Sequence, residues 1–479
     1  MIPLSLAEIT AIVAGHPHDI PDPDRPVTGP VVIDSREAGP GSLFAALPGT
    51  RVDGHDFAQS AVAAGAAAVL ATRPVGVPAV VVDDVSAALG ALARYTVDHL
   101  TDTTVVALTG SAGKTSTKDL LAQLLERRGP TVWTPGNFNN EIGLPVAALR
   151  ATPDTRYLVL EMGARGVGHI RHLTGLAPPR VGVVLNVGTA HLGEFGDRES
   201  IAVAKGELVE ALPAASAGGV AVLNADDPLV RAMADRTRAC VVLFGESEEA
   251  AVRAENVHLT RDGRPSFTLH TPSGCADVIL RLYGEHHVSN ALAAAAVAHE
   301  TGMPVAEIAD ALSAAGSLSR WRMEVTERSD GVTVVNDAYN ANPESMRAAL
   351  RALAAMGNGR RTWAVLGEMA ELGDDSLAEH DAVGRLAVRL NVSKLVAVGG
   401  REAARIDMGA RNEGSWGEES VHVSDARAAV DLLRSELRPG DVVLVKASRS
   451  AGLERIAQVL VDDDPARRAV DGEGGVVAR

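Results

Sequence analysis

The chain has 479 residues, of which 46% are hydrophobic and 3% aromatic, and a formal net charge of −16. The length predicts three domains of about 100–200 residues each, with cores built mainly from Ala, Val and Leu. The negative charge argues against nucleic acid as a partner, because a phosphate backbone would be repelled.

Residues 1–102 are predicted to form a small α/β domain. An Ala-rich helix is expected at Phe57–Ala64. It lies among short predicted strands at Val31–Ser35, Ser42–Leu47, Ala67–Ala71 and Ala79–Asp84.

Residues 103–318 are predicted to form a central domain with a mostly parallel, doubly wound sheet, because apolar strands alternate with helices there. Strands are expected in TTVVALTG, RYLVLEMG, RVGVVLNV, GVAVLNADD and CVVLFG, and an Ala-rich helix at Asn290–His299. The helix after the first strand has one apolar face, formed by Leu120, Leu121, Leu124 and Leu125. Its polar positions are Lys118, Glu126 and Arg127.

Residues 319–479 are predicted to form a C-terminal domain of Rossmann-like layout. The alternation restarts with GVTVVNDAYN, RTWAVLGEM, KLVAVGG and DVVLVKAS, each followed by a helix-like segment. The tail DDDPARRAVDGEGGVVAR has no periodicity, which predicts a mobile end.

The sequence predicts no signal sequence, no membrane span and no cysteine cluster. The N-terminus lacks a basic region followed by an apolar run, and no apolar stretch approaches the ~18 residues of a membrane helix. We therefore expect a cytoplasmic protein without a membrane partner, and a monomer by default. Cys240 and Cys275 are isolated, which predicts two reduced thiols packed as small hydrophobic side chains.

The segment TGSAGKTS lies between a predicted strand and a predicted helix, which is the setting of a phosphate-binding loop. Its glycines let backbone N–H groups point inward, and the helix N-terminus adds partial positive charge. Lys114 can reach the β- and γ-phosphates, and the Thr115 hydroxyl can bind Mg²⁺. Leu108 replaces the first Gly of the full pattern. We predict ATP binding by Thr109, Gly110, Ser111, Ala112, Gly113, Lys114, Thr115 and Ser116.

The short loop resembles that of the Mur ligases and of the related folylpolyglutamate synthetases, which use ATP to join an amine to a carboxylate. The segments YLVLEMGA, LNVGTAHLGEFG, AKGE, GEHHVSNALAAAA and RWRMEV agree with this family. Within this family, the chain most resembles the branch that adds D-alanyl-D-alanine to UDP-MurNAc-tripeptide. The segments that carry this closer resemblance are DSREAGPGSLFAALPGTRVDGHDF, GNFNNEIGLP, NDAYNANPESM, VLGEMAELG and VKASRSAGLE. The resemblance covers nearly the whole chain.

The resemblance implies an α/β fold with three domains: a small UDP-binding N-terminal domain, a central ATPase-like domain with a phosphate loop and a parallel sheet, and a Rossmann-like C-terminal domain. It implies that ATP phosphorylates the tripeptide carboxylate to an acyl phosphate, which the amine of D-alanyl-D-alanine attacks. The product would be UDP-MurNAc-pentapeptide for peptidoglycan synthesis. Two anions meet in the first step, so Mg²⁺ is expected, with two ions implied.

The same resemblance implies the metal ligands. Thr115 and Glu161 match ligands of the Mg²⁺ beside the ATP phosphates, and His191 matches a ligand of the second ion. A Glu or His after a strand is often structural. However, open α/β sheets bind their ligands at the carboxyl ends of their strands, where these residues are expected.

Two basic residues complete the implied catalytic set. Lys205 matches a lysine that is carbamylated in several related ligases, the alternative being an unmodified lysine that contacts a phosphate or a carboxylate. Arg322 matches the family arginine that reaches the ATP phosphates from the C-terminal domain, but Arg320 would point the same way in an extended segment. The predicted catalytic residues are Lys114, Glu161, His191, Lys205 and Arg322.

The nucleoside contacts are implied by position. Asn290 resembles the residue that contacts adenine, although His287 replaces an Asn of the family pattern. Asp337 is expected near a ribose hydroxyl, with Asn340 as a neighbour. The same run also fits an Asx-type turn that caps the following helix.

The remaining candidates concern the other substrates. Ser35 and Arg36 resemble uridine-diphosphate contacts, the alternative being an exposed surface turn. Ser448 and Arg449 could bind a substrate carboxylate. Side-chain amides that could hold sugar or peptide groups are Asn137, Asn139 and Asn140.

Two alternative functions remain. A sister ligase that adds the third residue of the peptide, or a folylpolyglutamate synthetase, would share the loop, but NDAYNANP and GEMAELG argue against both. A nucleotide-dependent switch would need the loop without the other predicted catalytic residues.

Overall fold

The computed structural model describes residues 1–49, 52–188, 195–414 and 417–467. Within these ranges it has three large sheets that follow one another along the chain, and this confirms the predicted α/β class with three domains. The domain limits at 102/103 and 318/319 stay predictions. His191 and residues 468–479 of the tail lie outside the described residues.

The N-terminal sheet is a short, mostly parallel sheet. Its described strands lie in the order His16–His18, Ala79–Val81, Ala68–Ala71, Leu43–Ala45 and Val31–Val32, and the first pair is antiparallel. A separate antiparallel pair joins Leu4–Ser5 to Pro26–Val27. The helices are Leu6–Ile12, Ala58–Ala63 and Val85–His99, with 3₁₀ turns at Ser35–Glu37 and Gly54–Phe57.

The central sheet is larger than predicted. In the part of the chain that is described, its order is Gly274–Ile279, Pro265–Thr271, Val252–Leu259, Cys240–Gly245, Val220–Asn224, Val181–Val184, Thr104–Thr109, Tyr157–Glu161 and Thr131–Trp133. The last seven of these strands are parallel, as predicted for this sheet, but the sequence analysis identified only five of them and missed Val252–Leu259 and Thr131–Trp133. The first two are antiparallel additions that the sequence analysis missed.

Helices cover the central sheet. They are Lys114–Glu126, Gly143–Ala148, His169–Leu176, Arg198–Glu210, Pro228–Arg231, His287–Glu300 and Val305–Ala314, with 3₁₀ turns at Ala215–Ala217 and Ala232–Arg236. The helix His287–Glu300 is enclosed by protein, and every residue from Ala291 to Ala298 has zero exposure. Six of those eight residues are Ala, which lets the helix pack closely on the helix Lys114–Glu126 and on the sheet.

Two predictions about side-chain exposure are wrong. Lys118 was expected on a polar face but is 1% exposed, because its ammonium group pairs with Asp119 and donates to Thr134 O. Cys240 and Cys275 are exposed rather than packed. Cys240 begins its strand, and Cys275 lies on the added strand Gly274–Ile279, where most side chains face solvent.

The C-terminal sheet confirms the predicted restart of the alternation. Its described strands lie in the order Glu324–Glu327, Thr333–Asn336, Val442–Lys446, Thr362–Leu366, Lys394–Val398 and Ser420–Val423, and the first pair is antiparallel. The helices are Pro343–Gly357, Ser376–Arg389, Arg401–Glu413, Ala426–Glu436 and Glu454–Asp462, with 3₁₀ turns at Gly373–Asp375 and Arg449–Ala451.

The first residues of the predicted tail contact this domain. Asp463 pairs with Arg434 at 2.7 Å, and Asp464 accepts a hydrogen bond from the Ser329 hydroxyl. Across the described ranges, every helix is too short or too polar to cross a lipid bilayer.

The register of the central sheet brings the carboxyl ends of three strands together. The strand Thr104–Thr109 pairs in parallel with Tyr157–Glu161 on one side and with Val181–Val184 on the other. The loops that follow these strands therefore leave the sheet at one edge, where parallel sheets bind their ligands.

Candidate active site

The loop after Thr109 has the geometry of a phosphate cradle. Gly113 has a φ of +81° immediately before the helix that begins at Lys114. A Cβ atom there would lie 2.4 Å from Asn290 Oδ1. Both the backbone conformation and the lack of space therefore require glycine.

Asn186 holds the outer part of the loop, and the sequence analysis did not predict it. Its side chain accepts from Ala112 N at 2.9 Å and donates to Ala112 O at 3.1 Å, while Ser111 N donates to Asn186 O. The Ser111 hydroxyl in turn accepts from Gly188 N. The signal for this role was present, because Asn186 lies two residues after the end of the strand Val181–Val184.

Lys114 folds back over its own loop. Its ammonium group donates to Gly110 O at 2.7 Å, which fixes it above the cradle. Burial lowers the pKa of Lys114, an effect that the Glu161 carboxylate opposes and Arg322 reinforces.

Thr115, Glu161 and Asn139 form a buried polar chain. The Thr115 hydroxyl donates to Glu161 Oε2 at 3.0 Å, and Asn139 Nδ2 donates to Glu161 Oε1 at 2.8 Å. The predicted metal ligands Thr115 and Glu161 are thus adjacent. Their oxygens suit Mg²⁺, which takes few protein ligands and completes its shell with water and phosphate. Within the described ranges, no three His, Cys, Asp or Glu side chains gather as a self-contained metal site.

Arg322 reaches this group from the C-terminal side. Its Nη2 donates to Thr115 Oγ1 at 3.2 Å, and its guanidinium lies 4.1 Å from the centroid of the Tyr339 ring. Its Nε is buried without a hydrogen-bond partner among the described residues, as expected of a group that awaits an anion.

Arg320 is exposed and is not among the residues that line the cleft with Arg322. Arg320 and Arg322 would share a direction only in an extended segment, and this segment is not extended. Trp321 and Met323 have φ values of +59° and +50°.

Lys205 lies on the helix Arg198–Glu210 and is 5% exposed. Burial lowers its pKa well below the usual 10.5, and the charge of Lys114 lowers it further. Both effects shift the protonation equilibrium of Lys205 toward its neutral form.

Asn290 lies beneath the loop. It is 6% exposed, and its Oδ1 accepts from the Thr117 hydroxyl at 3.3 Å. His287 is also buried, its Nε2 has no partner among the described residues, and burial lowers its pKa well below 6.5. Burial lowers the pKa of the neighbouring His286 to about 4.

Asp337 and Asn340 lie across from these histidines. Asp337 pairs with Lys446 at 2.6 Å and accepts from Met323 N at 3.0 Å, so both of its oxygens have protein partners. Asn340 is exposed at the cleft, its Oδ1 accepts from Ala341 N, and its backbone carbonyl accepts from Lys446. The cap of the helix Pro343–Gly357 is provided by Asn342 rather than by Asp337.

The predicted substrate residues fall into two places. Ser448 accepts from Ala370 N at 2.8 Å, and Arg449 stacks 4.3 Å from the ring centroid of Trp321. Both line the same cleft of about 730 Å³ as Lys114, Lys205 and Arg322, and so do the predicted amides Asn137, Asn139 and Asn140. Cleft residues that the sequence analysis missed include Arg165, His169, His172, Tyr339 and Glu371.

Ser35 and Arg36 are not brought to this cleft. The Arg36 side chain is 88% exposed and bonds to Asp34, whose pKa its guanidinium lowers to about 2. Asp34 also accepts from Arg36 N and thereby caps the 3₁₀ turn Ser35–Glu37.

Comparison with known proteins covers nearly the whole chain. Family models match three parts: one described as the Mur ligase family catalytic domain at residues 30–97, the Mur ligase middle domain at 108–298, and the Mur ligase glutamate ligase domain at 321–449.

Individual relatives agree. The UDP-N-acetylmuramoyl-tripeptide--D-alanyl-D-alanine ligase of Mycobacterium tuberculosis is 53% identical over 506 residues, which cover 97% of this chain and 99% of the relative. A crystal structure of MurF from Acinetobacter baumannii matches with a TM-score of 0.84 and 32% identity over 96% of this chain and 99% of that one. MurF from Thermotoga maritima in complex with ADP matches with a TM-score of 0.77 and 31% identity over 92% and 99%.

Proposed function

Because the chain belongs to the Mur ligase family, we propose that it joins D-alanyl-D-alanine to the terminal carboxylate of UDP-MurNAc-tripeptide in an ATP-dependent reaction. The observation that carries this proposal is the meeting of two groups in one cleft. The phosphate loop, Glu161 and Lys205 belong to the central part of the chain, and Arg322 follows it toward the C-terminal sheet, yet all of them line the same cleft. The identity of 53% with a ligase named for this reaction supports the choice of substrates.

The reaction has two steps. A carboxylate oxygen of the tripeptide attacks the γ-phosphorus of ATP, and the bond to the bridging oxygen breaks, which releases ADP. The amine of D-alanyl-D-alanine then attacks the acyl carbon, phosphate leaves, and the nitrogen loses a proton. The products are ADP, phosphate and UDP-MurNAc-pentapeptide, a precursor of peptidoglycan.

The protein's part in the first step is to hold anions together. Lys114 and the loop N–H groups would hold the β- and γ-phosphates, and Arg322 would approach the transferring group from the other domain. Mg²⁺ bound by Thr115 and Glu161 would neutralise developing charge on the phosphate oxygens. The role of His191 toward a second Mg²⁺ stays a proposal from the family pattern, since that residue lies outside the described ranges.

We assign a carbamate to Lys205. A neutral amine can attack CO₂ to give a carbamate and a proton, and the lowered pKa of Lys205 favours that neutral form. The modification would place an anion beside Lys114. Mass spectrometry under CO₂, compared with Lys205→Met, tests the assignment, and an unmodified mass in active protein would refute it.

The nucleoside and substrate contacts are proposed by position. Asn290 is assigned to the adenine side, and Asp337 and Asn340 to the ribose side. Ser35 and Arg36 are assigned to the uridine diphosphate at a site outside the main cleft. The assignments to the peptide substrates are Asn137, Asn139, Asn140, Ser448 and Arg449. We also propose that the protein acts as a cytoplasmic monomer without a nucleic-acid or membrane partner.

The decisive experiment measures phosphate release with defined substrates. Release should require ATP, UDP-MurNAc-tripeptide and D-alanyl-D-alanine together, and Lys114→Ala should abolish it. Free diamino acids or glutamate in place of D-alanyl-D-alanine should give no release, and activity with them would instead favour a sister ligase or a folylpolyglutamate synthetase. Phosphate release from ATP when both UDP-MurNAc-tripeptide and D-alanyl-D-alanine are absent would favour a nucleotide-dependent switch.

A further inference from the structure

The segment between the central and C-terminal sheets is bonded first to one domain and then to the other. Its upstream half is attached to the helix Lys114–Glu126. Gln123 Nε2 donates to Gly316 O at 2.8 Å, and Gly316 N donates to Gln123 Oε1 at 3.1 Å. Asp119 Oδ2 accepts from Leu318 N at 3.2 Å and from Ser319 N at 2.8 Å, and its Oδ1 accepts from the Ser319 hydroxyl at 3.0 Å.

The downstream half is attached to the C-terminal domain. Met323 N donates to Asp337 Oδ1 at 3.0 Å, Tyr339 N donates to Trp321 O at 3.2 Å, and Arg449 stacks on the Trp321 ring. The exposed Arg320 lies between the two sets of bonds. The segment thus changes its attachment from one domain to the other within a single residue.

The backbone is strained just after this change. Trp321 and Met323 are both left-handed, and neither is glycine. Residues with Cβ atoms hold such conformations only where their surroundings fix them. The fixed surroundings are on the C-terminal side, and the residue between them is Arg322, which contacts Thr115.

Asp119 is built as a rigid anchor. It is 2% exposed beside the 1% exposed Lys118, whose ammonium group lies 3.0 Å from Asp119 Oδ1 and also donates to Thr134 O. A buried carboxylate is costly unless it is paired and hydrogen-bonded, and Asp119 is both. Asp119 also lies four residues after Thr115, one turn along the same face of the helix.

We propose that Asp119 is a positioning residue that fixes the start of the C-terminal domain on the helix Lys114–Glu126, which is called the phosphate-loop helix below. When the C-terminal domain moves, it pivots at residues 319–321. Because the pivot is fixed, Arg322 comes back to the same place above Thr115 each time the domain closes. The inference rests on the proposed function, since it takes Arg322 to act on nucleotide phosphates.

A double-mutant cycle tests the coupling. Asp119→Asn keeps the shape but removes the charge, and it can place an NH₂ group against the donors of Ser319. The rate of substrate-dependent phosphate release should fall about 10- to 100-fold, as for a small misplacement of a reacting group. ADP affinity should change less than about twofold, because the loop itself is unaltered. In an Arg322→Lys background, Asp119→Asn should cause no further loss. Additive losses would overturn the proposal.

Asp441→Asn is the matched control. Asp441 is 3% exposed and accepts from Trp363 Nε1 and Arg438 N, but all of these partners lie within the C-terminal domain. This variant should have a lower Tm. At temperatures where it is folded, its rate of substrate-dependent phosphate release should equal that of the unaltered protein. The same behaviour in Asp119→Asn would reduce Asp119 to a structural residue and refute the inference.

Limited trypsin digestion gives a readout that does not depend on activity. Loss of the anchor should speed cleavage after Arg320, which yields fragments 1–320 and 321–479, whereas Asp441→Asn should cleave there like the unaltered protein. Unchanged cleavage in Asp119→Asn would contradict the anchor. If the unaltered protein showed no substrate-dependent phosphate release, the proposed function would fail, but the digestion would still decide whether Asp119 holds the segment.

Discussion

Gly113→Ala should damage the phosphate loop by two separable effects. The φ of +81° costs an L-residue about 1–2 kcal/mol. The new Cβ would also lie 2.4 Å from Asn290 Oδ1, and relieving such an overlap costs about 1–3 kcal/mol. Together the variant should lose about 2–5 kcal/mol of unfolding free energy. If the loop shifts to make room, ADP should bind about 10- to 100-fold more weakly.

Gly302→Ala isolates the backbone effect. Gly302 has a φ of +82°, and no atom lies within 4 Å of its would-be Cβ. It should lose only about 1–2 kcal/mol and should bind ADP normally. Adding Asn290→Ala to Gly113→Ala should recover part of the overlap cost, although the bond to Thr117 is lost.

Urea unfolding and titration with a fluorescent ADP analogue measure both effects. The reasoning is refuted if Gly113→Ala is no less stable than Gly302→Ala and binds ADP as tightly as the unaltered protein.

Three further predictions concern buried charges and a histidine. Glu161→Gln should lower substrate-dependent phosphate release at least about 100-fold across a Mg²⁺ titration, because the charge beside Thr115 is lost; full activity at high Mg²⁺ would contradict this. Lys446→Met should cost about 3–5 kcal/mol in urea unfolding by leaving Asp337 unpaired, and adding Asp337→Asn should recover most of it; equal losses in both variants would contradict the pairing. His380 accepts from Met369 N and donates to Ser376 O, so its ring must be neutral. Burial lowers the pKa of His380 from its ordinary value of 6.5. The contribution of the neutral ring to the free energy of unfolding is therefore complete above pH 6.5 and declines as the pH falls below that value. His380→Gln should remove this part of the pH dependence, and an unchanged slope in urea unfolding would count against it.

The phosphate loop could be predicted because its information is local. A strand, two glycines, a lysine and a helix start lie within a few consecutive residues, and the structure has them in that order. The parallel part of the central sheet was predictable for a similar reason. Its strands are buried on both faces and read as continuous apolar runs.

Features that depend on distant partners could not be predicted in this way. Periodicity puts Lys118 on a polar face, but its partners at Thr134 and Ser319 are separated from it in sequence. The strand Pro265–Thr271 alternates buried and half-buried residues, so it lacks the apolar run by which the other strands were recognised. The direction of Arg322 depends on left-handed residues on either side, which residue spacing does not reveal.

The alanine-rich helix His287–Glu300 gives the helix that follows the phosphate loop a stiff floor. Alanine has no side-chain rotamers to lose on burial, so this floor gains no mobility from rotamer exchange. Such a core also has no room for side chains larger than alanine. At Ala294 or Ala296 any larger side chain would have to push the phosphate-loop helix or the sheet outward, at a cost of about 1–3 kcal/mol. Mutational drift should therefore be more restricted along this helix than at the edges of the cleft, where half-exposed side chains can change size without moving the loop.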